Sequence, residues 1–199
     1  MSWADDWTIE DADEVLALSN EHGFADWGAI GTIMRGWCLS TRGEGAEGVP
    51  LMLQGMATWR ARGSKLTLPS LLTALADAYG MAGQPQEGLD RLAEAAISIE
   101  TTQERRTEPD THRVRGTLLL AMGKRDAAED SYYRALTVAR QQSARFFELR
   151  AGLSLAQLWR DQGKRTEARD LLAPIYRAFT EGLDAPVLQD AKAMLDELA

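Results

Sequence analysis

The chain has 199 residues, of which 45% are hydrophobic and 26% charged, and its formal net charge is −8. This composition predicts a folded protein with a core, while the acidic balance argues against a nucleic-acid partner. No apolar run approaches the ~18 residues of a membrane span, and the first residues lack the pattern of a signal peptide. We therefore expect a cytoplasmic location and no membrane partner. The single cysteine excludes a disulfide framework.

The first predicted element, residues 1–24, is an acidic N-terminal helix or partial repeat. Residues 1–21 contain no Lys or Arg and the acids Asp5, Asp6, Glu10, Asp11, Asp13, Glu14 and Glu21. They form either an arm for a basic partner or the solvated face of an amphipathic helix, whose other face has apolar and small residues at helical spacing. Trp3 and Trp7 beside this run are either packing residues or part of a disordered start.

A repeat of 40 residues follows. It is marked by glycines that each end an apolar segment: Gly43, Gly83, Gly123 and Gly163. A glycine just past a helix end supplies the left-handed conformation that closes the helix. A small residue lies five positions after each turn, at Gly48, Gly88, Ala128 and Ala168, and again seven positions later at Gly55, Ala95 and Ala135, but at Ile175 in the last copy. The small residues predict close approach of the two helices in each repeat.

Apolar residues at a 3.6-residue period predict a helix on each side of every turn, and no stretch alternates with the period of a strand. Pro174, inside the second helix of the fourth repeat, is expected to remove a hydrogen bond and bend that helix. The predicted helices cover residues 9–21, 26–42, 46–61, 68–82, 86–102, 109–122, 126–141, 145–161, 166–180 and 185–198. The fold class is therefore all-α.

Stacked helical hairpins of fixed period predict a right-handed α-solenoid of about four hairpins with flanking helices. Its glycine-turn-then-small-residue pattern resembles the tetratricopeptide repeat, whose usual period of ~34 residues implies that the helices here are longer. The predicted organisation is an N-terminal helix (1–24), repeats at about 25–64, 65–104, 105–144 and 145–182, and a C-terminal capping helix (183–199).

A narrower resemblance covers the chain from about residue 25 onwards. The segments that carry it are 78–84, 112–120, 148–151, 158–163 and 179–182. They resemble the C-terminal repeat region of bacterial signalling proteins in which an adenylate/guanylate cyclase domain and a predicted ATPase of the STAND type precede the helical repeats. The motifs of those catalytic domains are absent from this sequence. The resemblance therefore implies a regulatory or scaffolding module, not an enzyme.

Motifs for cofactors, metals and catalysis receive little support. Residues 43–48 match G-x-G-x-x-G, but a helix precedes them where a dinucleotide site needs a strand. Residues 163–166 (Gly-Lys-Arg-Thr) do not fit a phosphate loop, because Leu158 stands where its first glycine is required and Arg165 stands where Ser or Thr should follow the lysine. His112 and Cys38 have no identifiable partner for base or nucleophile chemistry, so a packed histidine and a buried thiol are the default interpretations. We expect no cofactor and no metal.

Binding remains the best-supported activity. In the repeats that this chain resembles, the first helix of each hairpin lines a concave groove. Carried over by register, the inward positions are Ile33, Trp37, Thr73, Asp77, Arg113, Thr117, Leu153 and Gln157, with Arg150 and Arg160 one turn to either side of the last pair. The arginines suit the carboxylates or carbonyls of a peptide, and Trp37 suits an aromatic anchor. The alternative is that these side chains solvate the groove or pair with acids of neighbouring repeats.

The leading hypothesis is a non-catalytic protein-interaction or regulatory module within a bacterial cyclase/ATPase-type signalling protein, with a protein or peptide ligand in the groove. The alternatives are a free-standing adaptor or a homo-oligomerising scaffold that dimerises through its terminal helices. A small-molecule sensor is a minor alternative.

Overall fold

The computed structural model describes residues 7–63 and 67–199, and within them it contains ten α-helices and no strand. The predicted all-α fold is therefore confirmed. The helices are α1 (Ile9–His22), α2 (Ala25–Thr41), α3 (Gly45–Ala61), α4 (Leu68–Met81), α5 (Pro85–Thr102), α6 (Glu108–Ala121), α7 (Arg125–Gln141), α8 (Arg145–Asp161), α9 (Arg165–Arg177) and α10 (Pro186–Glu197). Trp3, Asp5 and Asp6 lie outside the described residues, as do residues 64 and 65, where the first two predicted repeats meet.

Every helix begins within one residue of its predicted start, and α9 is the one whose end differs most. It ends at Arg177 instead of near residue 180. The amides of Ala178 and Phe179 bond to carbonyl oxygens three residues back, at 3.3 and 3.1 Å, which closes the last turn. Pro174 lies inside α9, and the sequence analysis had not noted that Pro50 lies inside α3 in the same way.

Residues with positive φ recur every 20 residues, which is half of the repeat read from the sequence. Eight residues follow this spacing, with φ between 53° and 86°: Gly23, Gly43, Gly63, Gly83, Gln103, Gly123, Ser143 and Gly163. Thr67 and Gly182 also have positive φ but lie outside the spacing. Each follows the end of one of the helices α1–α8. One helix and one turn therefore occupy 20 residues, and a hairpin occupies 40.

The small residues let the helices of the first hairpin approach closely. A Cβ atom added at Gly36 of α2 would lie 2.5 Å from the carbonyl oxygen of Gly48 in α3. One added at Gly55 of α3 would lie 2.7 Å from the carbonyl oxygen of Ala29 in α2. Both distances are shorter than any ordinary contact, so α2 and α3 pack backbone to backbone at these glycines.

The acids of α1 have structural roles at its exposed face. Thr8 caps the helix by accepting a hydrogen bond from the amide of Asp11, whose carboxylate accepts one from the Thr8 amide at 2.9 Å. The hydrogen bonds that the Thr8 amide and the Thr8 hydroxyl donate to the Asp11 carboxylate lower the pKa of Asp11. Asp13 pairs with Arg35 of α2 at 2.8 Å. Ala12 and Ser19 are buried on the opposite face, as an amphipathic helix requires.

The chain divides into two compact units, Met1–Arg105 and Arg106–Ala199. In the first unit α1 packs on α2, the hairpins are α2–α3 and α4–α5, and α2 contacts α4. In the second unit the hairpins are α6–α7 and α8–α9, α6 contacts α8, and α10 packs on α8 and α9. The first helices of neighbouring hairpins are thus adjacent within each unit. The boundary lies one residue from the predicted junction of the second and third repeats, whose bounds stay a prediction.

Candidate interaction surface

Three charged residues meet between the first helices of the second unit. The Arg113 Nε donates to Asp110 Oδ1 at 2.6 Å within α6, and the Arg150 Nη1 of α8 lies 3.6 Å from Asp110 Oδ2. All three side chains are largely buried, with 11 to 14% of their surface exposed. Burial alone would raise the pKa of Asp110, but the charges of Arg113 and Arg150 and the hydrogen bond from Arg113 together hold that pKa below its ordinary value. The cluster is therefore charged at neutral pH.

This cluster brings together Arg113 and Arg150, two of the cations predicted to bind a partner. The sequence analysis did not identify Asp110, although it lies three residues before Arg113, a spacing that places both side chains on one face of a helix. Because Asp110 contacts both guanidinium groups, it fixes their positions. The alternative interpretation of these arginines was pairing with acids of neighbouring repeats. Arg150 makes such a pair with Asp110, whereas Arg113 pairs with Asp110 within its own helix.

The other predicted positions of the second unit differ in exposure. Gln157 of α8 is exposed, whereas Leu153 is buried at 7% exposure. The Thr117 hydroxyl lies 3.3 Å from the Tyr132 hydroxyl of α7. Of these three side chains, that of Gln157 is therefore the one open to solvent.

Arg160 contacts the last helix. Its guanidinium lies 3.1 Å from a carboxylate oxygen of Glu197 and 3.9 Å from the sulfur of Met194, both in α10, and 2.8 Å from Asp161. The hydrogen bonds to Asp161 and Glu197 raise the pKa of Arg160. Arg160 is therefore a link between α8 and α10.

In the first unit the predicted positions lie deeper. Ile33, Trp37 and Thr73 are 0%, 7% and 3% exposed, and Trp37 belongs to the buried core cluster. Asp77 of α4 is half-buried. The exposed aromatic residues lie instead at the turn from α1 to α2, where Phe24 is 56% exposed and Trp27 is 60% exposed. Neither residue was predicted as a site residue, although Phe24 directly follows Gly23 and Trp27 lies in the first turn of α2.

The repeat turns have the predicted backbone conformation. Gly43, Gly83, Gly123 and Gly163 have φ values of 86°, 73°, 75° and 80°. In each case the amide two residues after the helix bonds back to the helix, as between Gly123 and the Leu120 carbonyl at 2.9 Å. The turns are thus the left-handed helix ends that the glycine spacing indicates.

The cysteine and the metal-ligating residue types do not form a catalytic or metal site in the part of the chain that the structure describes. Cys38 is buried, its sulfur lies 3.2 Å from the Trp7 carbonyl oxygen, and burial raises the pKa of its thiol, so the reactive thiolate is disfavoured. In residues 7–63 and 67–199 no three His, Cys, Asp or Glu side chains are grouped as metal ligands. Over the same residues, every helix is too short or too polar to cross a bilayer.

Comparison with known proteins agrees with this architecture. The sequence pattern of the tetratricopeptide repeat matches residues 149–174, in α8 and α9. No curated protein matches the sequence. Two crystal structures of the nearly identical TPR-like repeats of a Podospora anserina protein assigned as a kinesin light chain are similar in fold. One of them, a variant, has a TM-score of 0.59 and 20% sequence identity, and the match covers 85% of this chain and 84% of that chain. The other has a TM-score of 0.56 and 17% sequence identity, and the match covers 95% of this chain and 86% of that chain.

At this identity the two structures identify the fold, and the matched repeat in α8 and α9 agrees with it. The chain therefore has an all-α fold that resembles TPR-like repeat solenoids. Repeats of this kind generally mediate protein–protein interactions, and proteins built from them are generally non-catalytic adaptors.

Proposed function

We propose that this protein is a non-catalytic interaction module that binds an acidic peptide segment of a protein partner on the surface of α6 and α8. The observation that carries the proposal is the cluster of Asp110, Arg113 and Arg150 on these adjacent helices. Arginine matches the planar geometry of a carboxylate, and ordering the side chain before binding lowers the entropy cost of association. Asp110 provides that ordering.

Gln157 extends this surface along α8. It lies seven residues, or about two helical turns, after Arg150, so both residues project from the same face of the helix. An exposed amide can donate to a peptide carbonyl and accept from a peptide N–H. Arg150 and Gln157 would therefore hold a side chain and the backbone of one extended segment.

The remaining predicted positions have supporting roles in this proposal. Arg160 would lie at the end of the surface next to α10, which holds its guanidinium in place. In the first unit, Trp37 and Asp77 occupy the same register on α2 and α4. Because the Trp37 ring is buried, it would support the residues of a second binding surface without contacting the partner itself. Asp77 would be the residue of that surface that makes a polar contact with the partner.

The test is a fluorescence-anisotropy screen of labelled acidic peptides, each made with a free and with an amidated C-terminus. We expect saturable binding that weakens at high salt, because it depends on charge. Arg150→Gln and Gln157→Ala should each weaken a selected peptide by about tenfold, the effect of losing a central contact. Gln162→Ala, in the turn after α8, is the matched control and should leave affinity unchanged. Unchanged affinity in both surface variants, or no saturable peptide, would contradict the proposal.

We also propose a cellular context from the resemblance to bacterial cyclase/ATPase-type signalling proteins: a cytoplasmic regulatory or scaffolding segment. An immunoblot of source-cell lysate tests it. A band several times 21.9 kDa supports a segment of a larger protein. A band near that mass supports the alternative, a free-standing adaptor or a scaffold that dimerises through terminal helices, and light scattering would then give the oligomeric state. A metabolite that raises the midpoint of thermal unfolding would support the sensor alternative.

A further inference from the structure

A cleft of about 170 Å³ lies between α6 and α7, the two helices of one hairpin in the second unit. His112 and Arg115 line it from α6, and Asp130, Ser131 and Arg134 line it from α7. His112 is half-buried, whereas both arginines and Asp130 are exposed. The cleft thus combines an accessible opening with a partly desolvated imidazole, and it contains neither Arg113 nor Arg150 of the proposed peptide surface.

The two arginines of the cleft take no part in the ion pairs that hold other arginines. At least nine of the 18 arginines lie within 4.0 Å of a carboxylate. Arg115 and Arg134 have no such partner in the part of the chain that the structure describes, although Asp130 lies one helical turn before Arg134. Two cations therefore line one cleft without a carboxylate within ion-pair distance, and Asp130 is the acid that shares the lining with them.

The imidazole of His112 is affected by burial and by three nearby charges. Burial is the main cause that lowers its pKa; Glu108 on α6 raises the pKa, and Arg134 and Arg115 lower it. The net direction is downward, so the free cleft favours a neutral imidazole. An anion seated between the arginines would reverse their effect and favour the protonated, hydrogen-bond-donating form.

We propose that this cleft binds a phosphate group, held by Arg115 and Arg134 and completed by protonated His112. With His112 protonated, three cations and one carboxylate, Asp130, line the cleft, while Glu108 lies outside the lining and acts on His112 from α6. The lining therefore has an excess of positive charge, which favours the dianion of a phosphate monoester. The phosphate belongs either to a small phosphate ester or to a phosphorylated side chain of a protein partner, and both present the same oxygens to the cleft. The site goes beyond the peptide-binding surface and does not depend on it.

The first test follows the two histidines of the chain, His22 and His112, by NMR. Their imidazole resonances are titrated in sodium sulfate and in sodium chloride at equal ionic strength. Sulfate is the probe because it stays a dianion across the titration, so any dependence on pH comes from the protein. We expect sulfate to raise the pKa of His112 and to leave His22 unchanged. Sulfate should also bind about tenfold more tightly once His112 is protonated, since a favourable charge contact is added. An identical response of both histidines would overturn the proposal.

Variants distinguish sulfate binding in the cleft from non-specific attraction of sulfate to the positive charges of the protein. The double variant Arg115→Gln, Arg134→Gln should lose the response of His112 to sulfate. The control double variant Arg169→Gln, Arg177→Gln removes the same amount of charge from α9 and should retain the response of His112 to sulfate. Asp130→Asn removes the opposing carboxylate and should tighten sulfate binding severalfold, a gain that a misfolded variant cannot produce. A response that persists without Arg115 and Arg134, or no gain with Asp130→Asn, would overturn the proposal.

The source of the phosphate is tested with inorganic phosphate and with a phosphoserine peptide beside its unphosphorylated form. Both phosphate probes should compete with sulfate in the wild-type protein and not in the variant without Arg115 and Arg134. A phosphopeptide that binds at least about tenfold more tightly than inorganic phosphate assigns the site to a protein partner, because the peptide adds contacts outside the cleft. Equal affinities assign it to a small phosphate ester. Competition by neither probe would contradict the assignment to phosphate.

Discussion

Gly152 of α8 lies directly against Ile175 of α9: a Cβ atom added at Gly152 would be 2.8 Å from Ile175 Cδ1. The earlier repeats have a small residue in the second helix where the fourth has Ile175. In the fourth repeat the small residue of this contact, Gly152, is in the first helix, and the large residue, Ile175, is in the second. The hairpin keeps its close packing with the sizes exchanged.

This relationship predicts that Gly152→Ala destabilises the protein although alanine favours helix formation. The added methyl group has one short contact, with the buried Cδ1 end of Ile175, and we expect the overpacking to outweigh the gain in helix propensity by a net ~1 kcal/mol in the free energy of unfolding. Ile175→Val removes the very atom that the methyl group would meet. The double variant should therefore be more stable than the sum of the two single changes, measured by urea unfolding.

Gly28→Ala is the matched control for this measurement. Gly28 lies in α2, and its added Cβ atom would have one neighbour, at an ordinary 3.6 Å. It should stabilise the protein by about 0.5 to 1 kcal/mol, the usual gain for this change inside a helix. A stabilising Gly152→Ala, or strictly additive effects of Gly152→Ala and Ile175→Val, would show that size exchange does not govern this hairpin.

A second prediction concerns Ser143, which has φ of 53° at the turn after α7. The left-handed conformation costs a residue with a side chain about 1 kcal/mol, and glycine adopts it freely. We expect Ser143→Gly to raise the free energy of unfolding by roughly 0.5 to 1 kcal/mol. Ser154→Gly, inside α8, makes the same chemical change where glycine is unfavourable and should lower the free energy by a similar amount. Thermal unfolding of both variants tests the opposite signs.

The same turns explain how much of the fold the sequence predicts. A left-handed turn that uses glycine can be recognised in the sequence. Gly43, Gly83, Gly123 and Gly163 therefore indicate the repeat and nearly all helix bounds. Gln103 and Ser143 adopt the same conformation without glycine. Beyond Gly83 they take the place of every second turn glycine, so in that part of the chain the 20-residue spacing is found in the backbone angles and not in the glycine pattern.

The candidate site is less predictable than the fold, because the repeat register indicates on which face of a helix a residue lies but not how far its side chain is buried. Trp37 lies on α2, which contacts α1, α3 and α4, so apolar residues on several of its faces are buried and the pattern does not single out one face. The exposed Trp27 lies near the start of the same helix. By contrast, the pairing of Asp110 with Arg113 follows from a local three-residue spacing and was predictable in principle.

A third prediction follows from the lowered pKa of Asp110. A carboxyl group whose pKa is lower in the folded than in the unfolded protein stabilises the fold above its unfolded pKa, and this contribution is lost as the pH falls through the folded pKa. We expect Asp110→Asn to reduce stability at neutral pH by about 3 kcal/mol, because two largely buried guanidinium groups lose their carboxylate.

The pH dependence distinguishes this cause from simple misfit. Since the unfolded pKa of an aspartate is about 3.9, the difference between wild type and Asp110→Asn should shrink below about pH 4. Asp170→Asn on the exposed face of α9 serves as the control and should keep the wild-type profile. The measurement is urea unfolding from neutral to acidic pH. A difference that stays constant across this range would show that the charge of Asp110 is not what stabilises the cluster.

The last prediction concerns what holds α10 against α8 and α9. Arg160 pairs with Glu197 at 3.1 Å, but Glu197 is 49% exposed, and such pairs contribute about 1 kcal/mol or less. Leu188 and Met194 of α10 are 3% and 5% exposed, so apolar burial should dominate. Met194→Ala should therefore increase amide hydrogen exchange throughout α10 and cost about 2 to 3 kcal/mol, whereas Glu197→Gln should have a small effect. Because Met194 also contacts Arg160, Leu188→Ala provides an independent check, and it should increase amide exchange in α10 to a similar degree. Faster exchange in Glu197→Gln than in Leu188→Ala would mean that the ion pair, and not the apolar face, holds the helix in place.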